Sequence, residues 1–176
     1  MSLSELYERA RRIRLVVFDV DGVLTDGSLF ITESGEEFKA FHSQDGHGMK
    51  MLQATGVRLA IITGRSSRSV ELRAQNLGVG ILYQGVEDKL AVFEQILTSL
   101  GFGKECCAFI GDDVVDLPVM RRCGLAVAVP DAPPLVKSHA HYVTRLPGGR
   151  GAVRELCEII MHAQGTFDAQ MESYLR

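Results

Sequence analysis

Apolar residues in this chain come in short blocks, separated by stretches in which apolar positions recur every three or four residues. Leu15-Val16-Val17-Phe18, Val57 to Ile62, Ile81-Leu82-Tyr83, Cys107 to Ile110 and Leu125 to Val129 are each too short for a helix, and they are rich in Val and Ile. Unbroken runs of this kind predict strands buried between two layers. Leu90, Phe93, Leu97 and Leu100 fall on one face at helical spacing, as do Val153, Leu156, Cys157 and Ile160. Each set predicts an amphipathic helix. Strands alternating with helices build βαβ units, which implies a three-layer, Rossmann-like α/β fold with a parallel sheet flanked by helices.

One segment breaks the alternation. Residues 28–42 (SLFITESGEEFKAFH) hold two strand-like runs around Ser34-Gly35, a predicted hairpin. Pro130 to Pro134 and Pro147-Gly148-Gly149 read as loops, and the sequence after Gly165 as a frayed helix. No repeat, low-complexity tract or linker interrupts the 176 residues, so one domain is expected over 1–176, with a tail from 147.

Composition then narrows the partners. A chain that is 46% hydrophobic and 23% charged has the ordinary mix of a globular protein. Its net charge of -3 gives no reason to expect nucleic acid, and Arg9, Arg11, Arg12 and Arg14 read as a solvated helix face. No apolar run approaches the roughly 20 residues that span a bilayer, and the charged N-terminus lacks the apolar stretch of a secretory signal. No membrane partner is expected, and the location is read as cytoplasmic. Cys106 and Cys107 are adjacent while Cys123 and Cys157 stand alone, a spacing that fits neither a zinc site nor a disulfide framework. Reduced core thiols are expected. His139 and His141 have no partner cluster and read as ordinary positions.

In an open parallel sheet, ligands bind beyond the carboxyl ends of the strands. Asp19-Val20-Asp21-Gly22 follows the first run, Thr63-Gly64-Arg65 the second, and Gly111-Asp112-Asp113-Val114-Val115-Asp116 the fourth. Five carboxylates are thereby predicted to meet at one sheet edge. Like charges packed together need a compensating cation, and an oxygen-rich donor set without thiolates points to Mg2+. Asp19 at a strand end can present its carboxylate to a phosphorus atom. Asp21, two residues on, points the same way along extended backbone and can reach the leaving oxygen. A carboxylate nucleophile divides hydrolysis into two displacements, and a second carboxylate can protonate the leaving group and then activate water. Asp113 or Asp116 could equally be helix caps, and Lys89 a solvated helix-start lysine.

These residues resemble the four motifs of the haloacid dehalogenase superfamily of phosphatases: Asp19 to Gly27, Thr63-Gly64-Arg65, Lys89 and Gly111-Asp112-Asp113, in that order. The resemblance implies that Asp19 is nucleophile and metal ligand. It makes Asp21 the acid/base and a carbonyl ligand, and Asp112 a third protein ligand. Asp113 and Asp116 would orient those ligands, while Thr63 and Lys89 would hold phosphoryl oxygens. Most members carry a cap domain, yet only about 40 residues separate the first motif from Thr63. The hairpin stands in place of a cap, and its free edges invite a second copy. That pattern is similar to the capless members, which are homotetramers whose neighbours complete each site.

Within the capless group the chain resembles the 3-deoxy-D-manno-octulosonate 8-phosphate phosphatase family from about Arg14 to Gly165. The segments that carry this are Leu29 to Gly48, Gln84 to Lys89, Asp116 to Met120 and Gly148 to Glu155. The resemblance implies hydrolysis of a sugar-acid phosphate in lipopolysaccharide precursor synthesis. It also implies substrate contacts from His42, Ser43, Gln44, Asp45, Gly46, Lys50, Arg65 and Arg73, beside Asp21 and Lys89. Arg and Lys suit the carboxylate of such a substrate. Gln44 departs from the pattern, because members often carry Arg there. Two alternatives stay open: a phosphatase for a nonulosonate 9-phosphate, and a non-catalytic oligomerisation module. The glycine-rich 147–151 segment reads either as a turn or as cover for a site, its own or a neighbour's.

Overall fold

A computed structural model describes residues 2–176. In chain order the elements are α1 (Leu3–Arg11), β1 (Leu15–Phe18), β2 (Phe30–Ile31), β3 (Glu37–Phe38), α2 (Ser43–Ala54), β4 (Arg58–Ile62), α3 (Arg68–Leu77) and β5 (Ile81–Tyr83). There follow α4 (Lys89–Leu100), β6 (Cys107–Gly111), α5 (Leu117–Met120), β7 (Leu125–Ala128), α6 (Pro134–Ser138), β8 (Tyr142–Val143), α7 (Ala152–Ala163) and α8 (Phe167–Glu172). Six strands form one sheet in the order β5-β4-β1-β6-β7-β8, every neighbouring pair parallel. Helices cover both faces, giving the expected three-layer Rossmann-like fold, and β2 pairs with β3 as the predicted hairpin.

The strands are where the apolar blocks placed them because those blocks are what both helical layers can cover. β1, β6 and β7 are buried along their whole length, and β4 is buried beyond Arg58. On α7, Val153, Leu156, Cys157 and Ile160 are all buried, so the predicted stripe is the one that meets the core. Three expectations need correction. Ile81 to Tyr83 is half-buried rather than covered, since β5 is a sheet edge with one strand neighbour. Pro134 opens α6 rather than lying in a loop, as proline's fixed φ permits at a first helical position. The segment after Gly165 is anchored: Phe167 stacks on His162 at 3.9 Å, and the Tyr174 hydroxyl lies 2.8 Å from His47 Nε2. β8 was not foreseen, two residues being too short for any alternation to register.

The chain runs from β1 to β4 on one side of it and later returns through β6 on the other. That reversal opens a crevice beyond the carboxyl end of β1. Phe18 pairs with Ile61 on one side and Ile110 on the other, so Asp19, Thr63 and Asp112 leave the sheet at nearly one level. Among the described residues no helix is long and apolar enough to cross a membrane.

Candidate active site

The loop after β1 is wound tightly. Val20 O accepts from the backbone N–H groups of Val23, Leu24 and Thr25 at 2.9–3.2 Å, and Gly22 takes a φ of +88°, which a side chain would resist. Space forbids one as well, since a Cβ on Gly22 would fall 2.1 Å from an Asp112 carboxylate oxygen. The tail braces the loop from behind. Gly149 N–H donates to Val23 O at 2.8 Å, and Gly148 lies flat against the carbonyl of Gly22. Residues 147–151 of this chain therefore buttress its own first loop.

At the crevice Asp19, Asp21, Thr63, Arg65, Lys89, Asp112 and Asp113 line a cavity of about 500 Å³. Lys89 is the first residue of α4, whose N-cap Asp88 accepts from the N–H groups of Leu90 and Ala91. Its ammonium is buried and donates to Asp19 Oδ1 at 2.8 Å and to Asp116 Oδ1 at 2.7 Å. The other Asp116 oxygen accepts from the backbone of Asp112 at 3.0 Å and of Asp113 at 3.3 Å. Asp116 is thus consumed in holding both the lysine and the loop after β6. Asp113 is exposed and its carboxylate caps the following 3₁₀ turn. Thr63 is buried at the tip of β4.

Charge is unbalanced here. Burial, joined by the Asp116 charge and opposed by Lys89, pushes Asp19 up to about 6. Burial together with the Asp19 and Asp116 charges pushes Asp112 up to about 8. Asp19, Asp112 and Asp116 each offer an oxygen within 4.8 Å of the others. One ammonium faces three carboxylates, and all the donors are hard oxygens. A divalent, oxygen-seeking cation such as Mg2+ fits that set.

The other predicted substrate positions lie apart from this cavity. His42, Ser43, Gln44, Asp45, Gly46 and Lys50 sit on or beside α2, with Arg73 of α3 against its start: Arg73 Nη2 donates to His42 O at 3.2 Å. Gly46 is needed there, because a Cβ would lie 2.2 Å from that guanidinium. Lys50 is exposed. Asp45 is buried and turned inward, accepting from Gly151 N at 3.2 Å and Arg154 N at 2.8 Å. It fixes the start of α7, and burial raises its pKa despite those donors.

Sequence reasoning missed Lys39 and Glu37. Lys39 Nζ lies 2.5 Å from Asp21 Oδ1 and 2.8 Å from Glu37 Oε1, and Glu37 also bonds Arg65. Opposite charges at positions i and i+2 of a strand share one face, and that spacing in Glu37-Phe38-Lys39 was the available signal.

A model of haloacid dehalogenase-like hydrolases matches residues 47–124. The chain is 49% identical to the 3-deoxy-D-manno-octulosonate 8-phosphate phosphatase of Yersinia pestis, over 92% of this chain and 86% of that protein. It is 47% identical to the enzyme of the same name from Escherichia coli K12, over 94% and 88%. The Moraxella catarrhalis phosphatase of that name, solved with magnesium ion, phosphate ion and a KDO molecule, superposes with a TM-score of 0.97. That match has 42% identity and covers 98% of this chain and 99% of the other.

Proposed function

The chain belongs to the 3-deoxy-D-manno-octulosonate 8-phosphate phosphatases among the haloacid dehalogenase-like hydrolases, and from that premise we propose how its residues divide the work. It is a Mg2+-dependent phosphatase that hydrolyses 3-deoxy-D-manno-octulosonate 8-phosphate to the free sugar acid and phosphate. The observation that carries the division of roles is the meeting of Asp19, Thr63, Lys89 and Asp112 in one crevice, with Lys89 bridging Asp19 and Asp116.

Asp19 attacks phosphorus through a carboxylate oxygen while the bond from phosphorus to the sugar oxygen breaks. Asp21 gives its proton to that leaving oxygen. Water then opens the aspartyl phosphate, its proton passing to Asp21 and its oxygen leaving with phosphate. Lys89 and Thr63 hold the phosphoryl oxygens in position. The carboxylates of Asp19 and Asp112 and the carbonyl of Asp21 hold the cation, which when bound offsets the negative charge of phosphate and carboxylates together. Asp113 and Asp116 orient the loop that carries Asp112.

Selectivity is assigned to the surface around α2. Arg65 stands at the rim of the crevice to meet the sugar acid, while His42, Ser43, Gln44, Lys50 and Arg73 form a polar surface of their own, underlain by the buried Asp45 and Gly46. Leu29, Phe30, Ile31 and Phe38 of the hairpin are exposed, with Phe30 and Phe38 stacked at 5.1 Å. An apolar face of this kind supports assembly. The reading is a homotetramer, formed through the hairpins, in which the α2 surface of one subunit completes the crevice of another. The whole chain acts as one cytoplasmic phosphatase domain on a pathway to lipopolysaccharide.

The test is phosphate release from the eight-carbon acid with Mg2+ and with chelator, set beside a nine-carbon nonulosonate 9-phosphate. Chelator-sensitive turnover with higher kcat/KM for the eight-carbon acid is expected. Equal or better turnover of the nine-carbon acid moves the assignment to that substrate.

A further inference from the structure

Directly behind Asp21 lies an ammonium to which the mechanism above gives no task. Lys39 follows β3, its side chain is only 1% exposed, and its Nζ is 2.5 Å from Asp21 Oδ1 and 2.8 Å from Glu37 Oε1. The second oxygen of Glu37 accepts from Arg65 Nη2. Charges alternate along a file of four side chains, Asp21, Lys39, Glu37 and Arg65. It runs from the loop after β1, by way of the hairpin, to the loop after β4. A lysine this deeply covered is stable only where carboxylates compensate it.

The file solves a problem that the loop creates. Asp21 sits between tight turns, and its carboxylate is 22% exposed. Among the described residues Lys39 is its side-chain hydrogen-bond partner. Among the described residues no other side chain bonds its oxygens. A catalytic acid displaced by about 1 Å loses on the order of 10²-fold in rate.

We propose that Lys39 is a positioning residue of the reaction: it holds the Asp21 carboxyl at the angle from which it serves the leaving oxygen. Glu37 and Arg65 brace the lysine from behind. As Asp19 bonds to phosphorus and the ester bond breaks, the Asp21 carboxyl delivers its proton to the departing oxygen, and it recovers one when water opens the aspartyl phosphate. Lys39 touches neither substrate nor phosphorus and acts through Asp21. The hairpin that the proposed assembly uses therefore also aims the acid. This inference rests on the phosphatase reading given above.

Leaving-group dependence tests it. A sugar alkoxide needs the proton, whereas 4-nitrophenolate leaves without one. Lys39→Met is expected to lower the single-turnover rate of sugar release from the sugar-acid phosphate by about 10²-fold, with KM changed less than about 3-fold, and the single-turnover burst of 4-nitrophenolate from 4-nitrophenyl phosphate by only about 3-fold; reading the first half-reaction leaves out the hydrolysis of the aspartyl phosphate that both substrates share. Lys39→Arg recovers at least about 10-fold of the loss on the sugar-acid phosphate, because the donor and charge return. Asp21→Asn gives the same pattern, and adding Lys39→Met to it costs little more. Should Lys39→Met fail to fold, Lys39→Gln carries the same comparison. Equal losses on both leaving groups, or a gain in activity on removing Lys39, overturn the proposal. A wild-type enzyme that turns over neither phosphate sinks the phosphatase reading itself, which is a separate failure.

Discussion

At the sheet edge, Lys89 bonds Asp19 and Asp116 at 2.8 and 2.7 Å, and the three side chains are 4%, 8% and 0% exposed. On the hairpin, Ile31 and Phe38 are 62% and 54% exposed. The first region is complete within one chain: every carboxylate that holds Lys89 or the loop after β6 has its partner in place. The second shows apolar rings and polar side chains to solvent, and in the proposed assembly another copy covers them. The reaction needs charges fixed in a medium of low dielectric, which a folded core supplies. Choice of substrate needs a surface that closes over the sugar, and a chain without a cap has to find that surface elsewhere. Chemistry is internal here, and on the proposed assembly selectivity is shared between chains.

The largest effect expected from breaking the internal region is that of Asp19→Asn. It keeps the shape and removes the nucleophile, so kcat falls by about 10⁴-fold or more on sugar and aryl phosphates alike. Cooperative melting persists. Phosphate release measures the first and calorimetry the second, and residual activity within tenfold of wild type defeats the nucleophile assignment. Lys89→Met comes next. It strands Asp19 and Asp116 without their shared partner, which costs about 3 kcal/mol of stability, and it removes a donor to the transferring phosphoryl group, worth about 10³-fold in kcat. Urea unfolding and steady-state rates read the two effects separately. A Lys89→Met protein that loses neither would make the lysine a surface residue.

Breaking the shared region gives a smaller and selective loss. Ile31→Glu places charge on the apolar face of the hairpin and is expected to lower the molar mass measured by light scattering. With the neighbour's polar contacts gone, kcat/KM for the eight-carbon acid falls by about 30-fold, the equivalent of about 2 kcal/mol of charge-assisted bonding. Turnover of 4-nitrophenyl phosphate, which has no sugar to grip, changes by less than about 3-fold. Equal losses on both substrates would mean that the crevice itself depends on assembly, and the division between the two regions would fall.

The same division decides what could be read in advance. Strand blocks, the helical stripe of α7 and the carboxylates after β1 and β6 were legible because each is fixed by local pattern plus one topological rule. Asp116 was placed near the crevice, but its consumption by Lys89 and two backbone N–H groups needed the loop's actual turn. Asp45 reads as a substrate contact, and nothing in the sequence signals that its carboxylate also accepts from Gly151 and Arg154, more than a hundred positions away. Lys39 escaped notice for a related reason. A lysine near a hairpin turn looks solvated until the fold lays the hairpin against the loop that carries Asp21. Contacts distant in sequence between polar groups leave no periodicity, so only the fold reveals them.

The smallest effect sharpens the comparison through pH. In the folded, metal-free protein Asp19 is raised to about 6 and Asp112 to about 8, both above the ordinary 3.8. The folded state therefore binds more protons than the unfolded chain over that window, and stability falls as pH rises through it. Mg2+ needs the ionised carboxylates and stabilises the folded state in proportion to how available they are. The expected rise in Tm on adding Mg2+ is about 5 °C at pH 8 and close to none at pH 5. Asp112→Asn removes the group with the higher value, so the fall in metal-free Tm between pH 5 and 8 becomes shallower and the Mg2+ shift shrinks at pH 8. Ile31→Glu alters neither, because the hairpin's apolar face lies outside the charge cluster. A metal-free Tm that climbs from pH 5 to 8, or a Mg2+ shift of one size at both pH values, would show that the carboxylates are not strained together. The crevice would then be no more self-contained than the hairpin.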